Sequence, residues 1–130
     1  MNYFDKKNKL VCIHEININK RNETEFFTPN KTFLQSGLLK FRKSSSVDNH
    51  IHFNRFSFIR KTNEVLYILE GSATINLFDK NKEALDSFTA LSGDLVIFIS
   101  GGHGLIFNKD TKILEVKQGP YLGNYDKKKF

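Results

Sequence analysis

Glu64-Val65-Leu66-Tyr67-Ile68-Leu69-Glu70-Gly71-Ser72-Ala73-Thr74-Ile75-Asn76-Leu77-Phe78 decides the fold class of this chain. Two short runs rich in β-branched and aromatic residues, 64–69 and 73–78, flank Glu70-Gly71-Ser72, and that pattern reads as two strands joined by a tight hairpin turn. Asp79-Lys80-Asn81-Lys82 forms a second hairpin loop leading into a strand at 87–91. Ser92-Gly93-Asp94 then turns the chain into 95–99, an unbroken apolar run expected to be buried on both faces.

Outward from this centre, helical periodicity is almost absent. Residues 10–18 read as a strand, 24–28 as a short second one ending at Pro29-Asn30, and 38–42 as the next. After the polar loop 44–49, the Phe- and Ile-rich stretch 50–59 is expected to be a strand, although Asn54-Arg55 interrupts its pattern. Gly101-Gly102-His103-Gly104 breaks the chain sharply, and 105–107 and 112–117 close the sheet. Roughly eight to ten short strands without a long helix, in 130 residues, fit an all-β sandwich or barrel.

Length and composition indicate one domain with a sizeable core. Thirteen phenylalanines, no tryptophan and only two prolines leave no linker-like stretch. The formal charge is +6, but the basic residues are scattered and no basic helix, finger or RNA-stacking motif accompanies them, so nucleic acid is not expected as a partner. Cys12 is the single cysteine and lies in an apolar strand, which points to a reducing, cytoplasmic setting and a buried thiol. No apolar run reaches the length of a membrane span, and the first residues lack the core of a signal peptide.

The chemistry lies in three histidines and one carboxylate. His50 and His52 stand two apart, so on a strand both imidazoles project to one side. Glu64 begins the next strand, and His103 follows a glycine turn whose residues accept backbone angles that others resist. Two or three neutral imidazoles with one carboxylate suit a divalent transition metal (Zn, Fe, Mn, Ni or Co) with positions open to water or substrate. His14, on an N-terminal strand, reads as structural or exposed. Glu115 and Lys117 alternate along the last strand and share a face. Facing inward they supply a carboxylate for proton transfer and an ammonium for anchoring; facing outward they are a solvated pair at a sheet edge. Tyr67 has the opposite parity to Glu64 and reads as core. Gln118 and Tyr121 border the barrel end and suit hydroxyl groups, while Arg55 and Arg60 suit a phosphate or carboxylate.

These residues resemble the motifs of the cupin family, a double-stranded β-helix or jelly-roll barrel. That family's first motif joins a glycine to His-x-His, then a glutamate and a glycine; His50, His52, Glu64 and Gly71 match it, with Glu-x-x-Tyr-Ile-Leu-x-Gly among its recognisable phrases. Gly93-Asp94 and His103 match the second motif. Ser44 stands where the first glycine falls, eleven residues separate His52 from Glu64, and the second motif's proline is absent from Ile99-Ser100-Gly101-Gly102. The phrase Leu114-Glu115-Val116-Lys117-Gln118-Gly119-Pro120-Tyr121 is similar to a narrower group of small bacterial cupins found among surface-polysaccharide genes.

The resemblance implies one cupin domain over 1–130, with a barrel core at about 36–118 and N-terminal strands at 9–28 packed on it. It implies a metal held by His50, His52, Glu64 and His103, and a small polar ligand, in that group a sugar derivative. Glu115 is then the candidate base. Two other readings use the same pocket: a non-catalytic sensor or ligand-binding module, and a metal-free nucleotide-sugar epimerase or isomerase with His103 or His52 as base and Tyr121 as acid. A homodimer is expected, because a small jelly roll leaves edges and apolar faces to cover, and the segment 53–58 suits that need.

Overall fold

In a computed structural model that describes residues 1–54, 56, 58–120 and 128–130, ten strands form the regular structure. They are β1 (Asn2–Phe4), β2 (Leu10–Glu15), β3 (Glu25–Phe26), β4 (Gly37–Leu38), β5 (Glu64–Glu70), β6 (Ser72–Phe78), β7 (Ala84–Leu91), β8 (Leu95–Phe98), β9 (Gly102–Phe107) and β10 (Lys112–Lys117). A single 3-10 turn at Ile18–Lys20 is the only helical element among the described residues. Every strand pairing is antiparallel. No helix among the described residues is long and apolar enough to cross a membrane.

A five-stranded sheet runs in the order β1-β2-β8-β5-β10 and a three-stranded sheet in the order β7-β6-β9, with β3 and β4 pairing apart. The two larger sheets share one apolar core. Leu66 and Ile68 of β5, with Val96 and Phe98 of β8, meet Ala73, Ile75 and Leu77 of β6 and Ala90 of β7. Each large aliphatic side chain fully withdrawn there contributes about 1.5–3 kcal/mol. The other face of the larger sheet is covered as well, since Ile13, Val65, Leu95 and Ile97 form a second core under Ile18, Phe27 and Leu34. All four residues of β8 are buried, as the unbroken apolar run 95–99 requires of a strand packed on both sides.

The turns follow from residue chemistry. Gly71 adopts φ +85°, and a Cβ there would stand 2.3 Å from the Asp110 carbonyl oxygen. In the β6–β7 loop the Asp79 carboxylate accepts the N–H groups of Asn81 and Glu83, while Lys82 takes the left-handed φ of 70°.

Three differences from the sequence reading matter. Residues 50–54 are exposed and belong to no strand, and the described residues of 56–59 likewise lie outside any strand. The sequence there has strand propensity, but that propensity depends on packing against paired neighbours, and no strand pairs with the described residues of this stretch. Asn2–Phe4 forms a strand that composition gave no sign of. The N-terminal strand β2 ends at Glu15, short of the 10–18 read from the sequence, and pairs along β8 inside the larger sheet.

Buried polar groups explain the Gly93-Asp94 turn. The Asp94 carboxylate accepts the N–H of Asn17 at 2.8 Å and of Leu91 at 3.0 Å, and meets His14 Nε2 at 2.8 Å. The His14 and Asp94 side chains are 3% and 5% exposed, and the imidazole stacks on Phe88. His14 is therefore structural. Cys12 is buried, with its thiol pushed up to about 12 chiefly by desolvation, so it is a core residue and no nucleophile.

Candidate functional site

Glu64 and His103, far apart in sequence, meet between the two sheets. Glu64 opens β5 and lies directly across from Phe98 on one side and Lys117 on the other. Directly opposed residues share a face, so Glu64, Phe98 and Lys117 all point toward the three-stranded sheet. His103 lies across from Leu77 on β9, and so faces them from the other layer. Its ring stacks flat on Phe98, with centroids 3.7 Å apart and planes 5° from parallel. Gly101 makes this entry possible: it adopts φ +79°, and a Cβ would come within 2.3 Å of the Phe78 carbonyl oxygen.

His103 Nε2 stands 3.6 Å from Glu64 Oε2, with both side chains part-buried. That separation is long for a hydrogen bond. It matches two ligands of one tetrahedral ion, whose donors at about 2.0–2.2 Å from the metal lie roughly 3.3–3.6 Å apart.

His50 and His52 form a second pair, their rings edge to face at 5.0 Å between centroids. His50 Nδ1 donates to the Asp48 carbonyl oxygen at 2.9 Å. A carbonyl can only accept, so in the neutral ring the proton sits on Nδ1 and the Nε2 lone pair is left for a metal. The expected strand that would carry this pair is not formed. Among the described residues no three histidine, cysteine or carboxylate side chains gather around a common point. The structure thus brings the four expected ligands together as two pairs, not as one set.

Of the remaining expected residues, Glu115 and Lys117 do share the inner face, since Glu115 lies across from Leu66 and Lys117 from Glu64. Glu115 is exposed because β10 is an edge strand, while Lys117 is half-buried. Gln118 accepts the Asn63 N–H at 2.7 Å through Oε1, whereas its Nε2 is buried without a hydrogen-bond partner among the described residues. Arg60 is exposed, its guanidinium 5.4 Å from the centre of the Phe58 ring. Arg55 and Tyr121 lie outside the described residues. Tyr67 takes the opposite face and donates its hydroxyl to Asn19 Oδ1 at 2.7 Å, as expected of a core position.

Two residues of this neighbourhood escaped the sequence reading. Phe98 is the platform for His103, but in the sequence it is one more apolar residue of a buried run. Asn63 donates from its side chain to the Ile99 carbonyl oxygen at 2.9 Å and from its backbone to Gln118, which fixes the start of β5. Nothing in its local sequence marks that role.

Set against known proteins, the chain matches no family model, no curated protein and no solved structure.

Proposed function

We propose that this chain is a metal-binding jelly-roll protein of the cupin type, which holds one divalent transition-metal ion and binds a small polar molecule at it. The observation that carries this reading is the Glu64–His103 pair, set between the sheets at the separation of two ligands on one ion. His50 and His52 complete the set, and the His50 ring is already held in the tautomer that coordinates through Nε2.

The reading requires the 50–53 stretch to lie along the open edge of β9. That edge carries His103, Leu105 and Phe107 on the inner face, and among the described residues β9 has a partner on one side only. Ile51 and Phe53, 93% and 91% exposed, supply the drive for this step, because closing the barrel removes apolar surface from water. The same arrangement would need the segment 38–42, whose Leu38 here pairs with Glu25 of β3, to run along the edge of β10. Ser44, between the two, already has the left-handed φ of 69° that glycine favours.

When bound, the ion polarises a carbonyl or hydroxyl oxygen of the ligand. Lys117 anchors a negative or hydroxyl group beside it, Gln118 Nε2 donates a hydrogen bond, and Glu115 is the candidate base. A sugar derivative as ligand rests on the likeness of the 114–121 phrase to cupins of polysaccharide genes. A homodimer covering the rest of the Phe-rich segment, and a cytoplasmic setting for a chain with one buried thiol, accord with the same reading.

The test is elemental analysis of protein made without an affinity tag or added metal. We expect close to one equivalent of transition metal per chain, kept through gel filtration and removed by a chelator. Protein that emerges metal-free, and that fails to take up Zn, Mn, Fe, Ni or Co when each is offered, would contradict the proposal.

A further inference from the structure

Four lysines line one cleft where the chain enters β5 and β9. Lys61, Lys80, Lys82 and Lys128 form its rim, the backbone of Gly101 and Gly102 one wall, and the Phe130 ring part of its floor; its volume is about 450 Å³. Asp79 is the one carboxylate side chain among the described lining residues. Its Oδ1 is committed to the loop, accepting Asn81 N–H at 2.7 Å and Glu83 N–H at 2.9 Å. None of the four ammonium groups pairs with a carboxylate among the described residues, whose lysine ion pairs are Lys6 with Glu83 and Lys112 with Glu70.

The cleft is shaped by its glycines and its aromatic floor. Phe130 packs edge-on against Phe78 at 5.1 Å, and Lys82 Nζ lies 5.3 Å from the Phe130 centroid. A Cβ on Gly102 would stand 3.0 Å from the Phe130 ring, tight enough that a side chain there would push the ring out. Lysines collected around a concave surface raise the local concentration of anions. As compact point charges they favour a ligand with several negative charges close together over a single carboxylate. The volume falls in the range of small-molecule sites, and the lysines ring a cleft rather than run in a stripe as on a polymer-binding face.

We infer that this cleft binds a small polyanion, a diphosphate or phosphate ester, through Lys61, Lys80, Lys82 and Lys128. The site uses none of the proposed metal ligands and stands whether or not a metal is bound. It lies one residue before His103 and two before Glu64, so a phosphorylated molecule held there enters the protein at the same end as that pair.

The experiment is a calorimetric titration of the full chain, stripped of metal with a chelator, using inorganic pyrophosphate as probe at low and high salt. Saturable binding with one site per chain is expected, weakening steeply as salt rises. Lys80→Glu and Lys61→Glu should each weaken it by about tenfold or more. Both residues are exposed and make no ion pair among the described residues, so the fold should be retained, as circular dichroism will verify. Lys31→Glu, an exposed lysine outside the cleft, makes the same change in net charge and should leave binding as it was. Absence of saturable binding, or an equal loss in Lys31→Glu, would overturn the assignment. Tighter binding of a single-stranded RNA homopolymer than of pyrophosphate would also overturn it, by giving the surface to nucleic acid.

Discussion

Asp94→Ala is expected to lose about 3–5 kcal/mol of stability, since its carboxylate accepts three hydrogen bonds worth about 1.5–3 kcal/mol each and not fully additive. Its carboxylate serves three donors: the backbone N–H groups of Asn17 and Leu91 and the imidazole of His14. Alanine leaves all three donors without their acceptor, the imidazole buried and the two N–H groups part-buried, and His14 Nδ1 is already buried without a partner among the described residues. The Asp94 backbone is tied in too, since its carbonyl accepts the Ile68 N–H and the neighbouring Gly93 donates to the Ile68 carbonyl oxygen. One residue thus joins the β7–β8 turn to β2, β5 and the 3-10 turn. Against a total of about 5–15 kcal/mol for a domain of this kind, the variant would be largely unfolded or close to it. Asp94→Asn keeps the shape and one acceptor oxygen, and should lose about 1–3 kcal/mol. Urea denaturation followed by circular dichroism measures both, and a loss under about 1 kcal/mol in the alanine variant would contradict the role given to this carboxylate.

The largest functional effect is expected from removing both imidazoles of the His50 and His52 pair. His50→Ala combined with His52→Ala should weaken metal retention on the order of a thousandfold, well beyond the 10–100-fold that follows loss of an outer hydrogen-bond partner. Both residues are exposed and outside the sheets, so the metal-free variant should keep the β-structure and unfolding midpoint of the metal-free wild type. His103→Ala should also release the metal, and should lose in addition the flat stack on Phe98. Competition with a chelating dye reads the affinities. Wild-type metal content in the His50 and His52 double variant would show that the ion, if present, sits elsewhere.

How much could be read from the chain depended on how local each cause is. The hairpin around Gly71, the two-sided burial of β8 and the Asp79 loop follow from neighbouring residues, and the structure has all three. Glu64 and His103 stand close in the structure, whereas the four-residue ligand set expected from the sequence is not gathered among the described residues. What escaped was non-local. His14 and Asp94 lie eighty residues apart and no sequence pattern links them. The 50–59 stretch has strand composition, but its described residues form no strand, because a strand needs a paired neighbour that local composition does not supply. Phe98 could be recognised as core, yet not as the surface on which a functional imidazole rests.

The central claim is that His50, His52, Glu64 and His103 share one ion, and X-ray absorption fine structure of the zinc-loaded protein tests it most directly. Three imidazole nitrogens at about 2.0–2.1 Å with one carboxylate oxygen are expected, together with the multiple-scattering signature of three rings. A spectrum fitted by one imidazole or none, with the remaining positions filled by water, would contradict it.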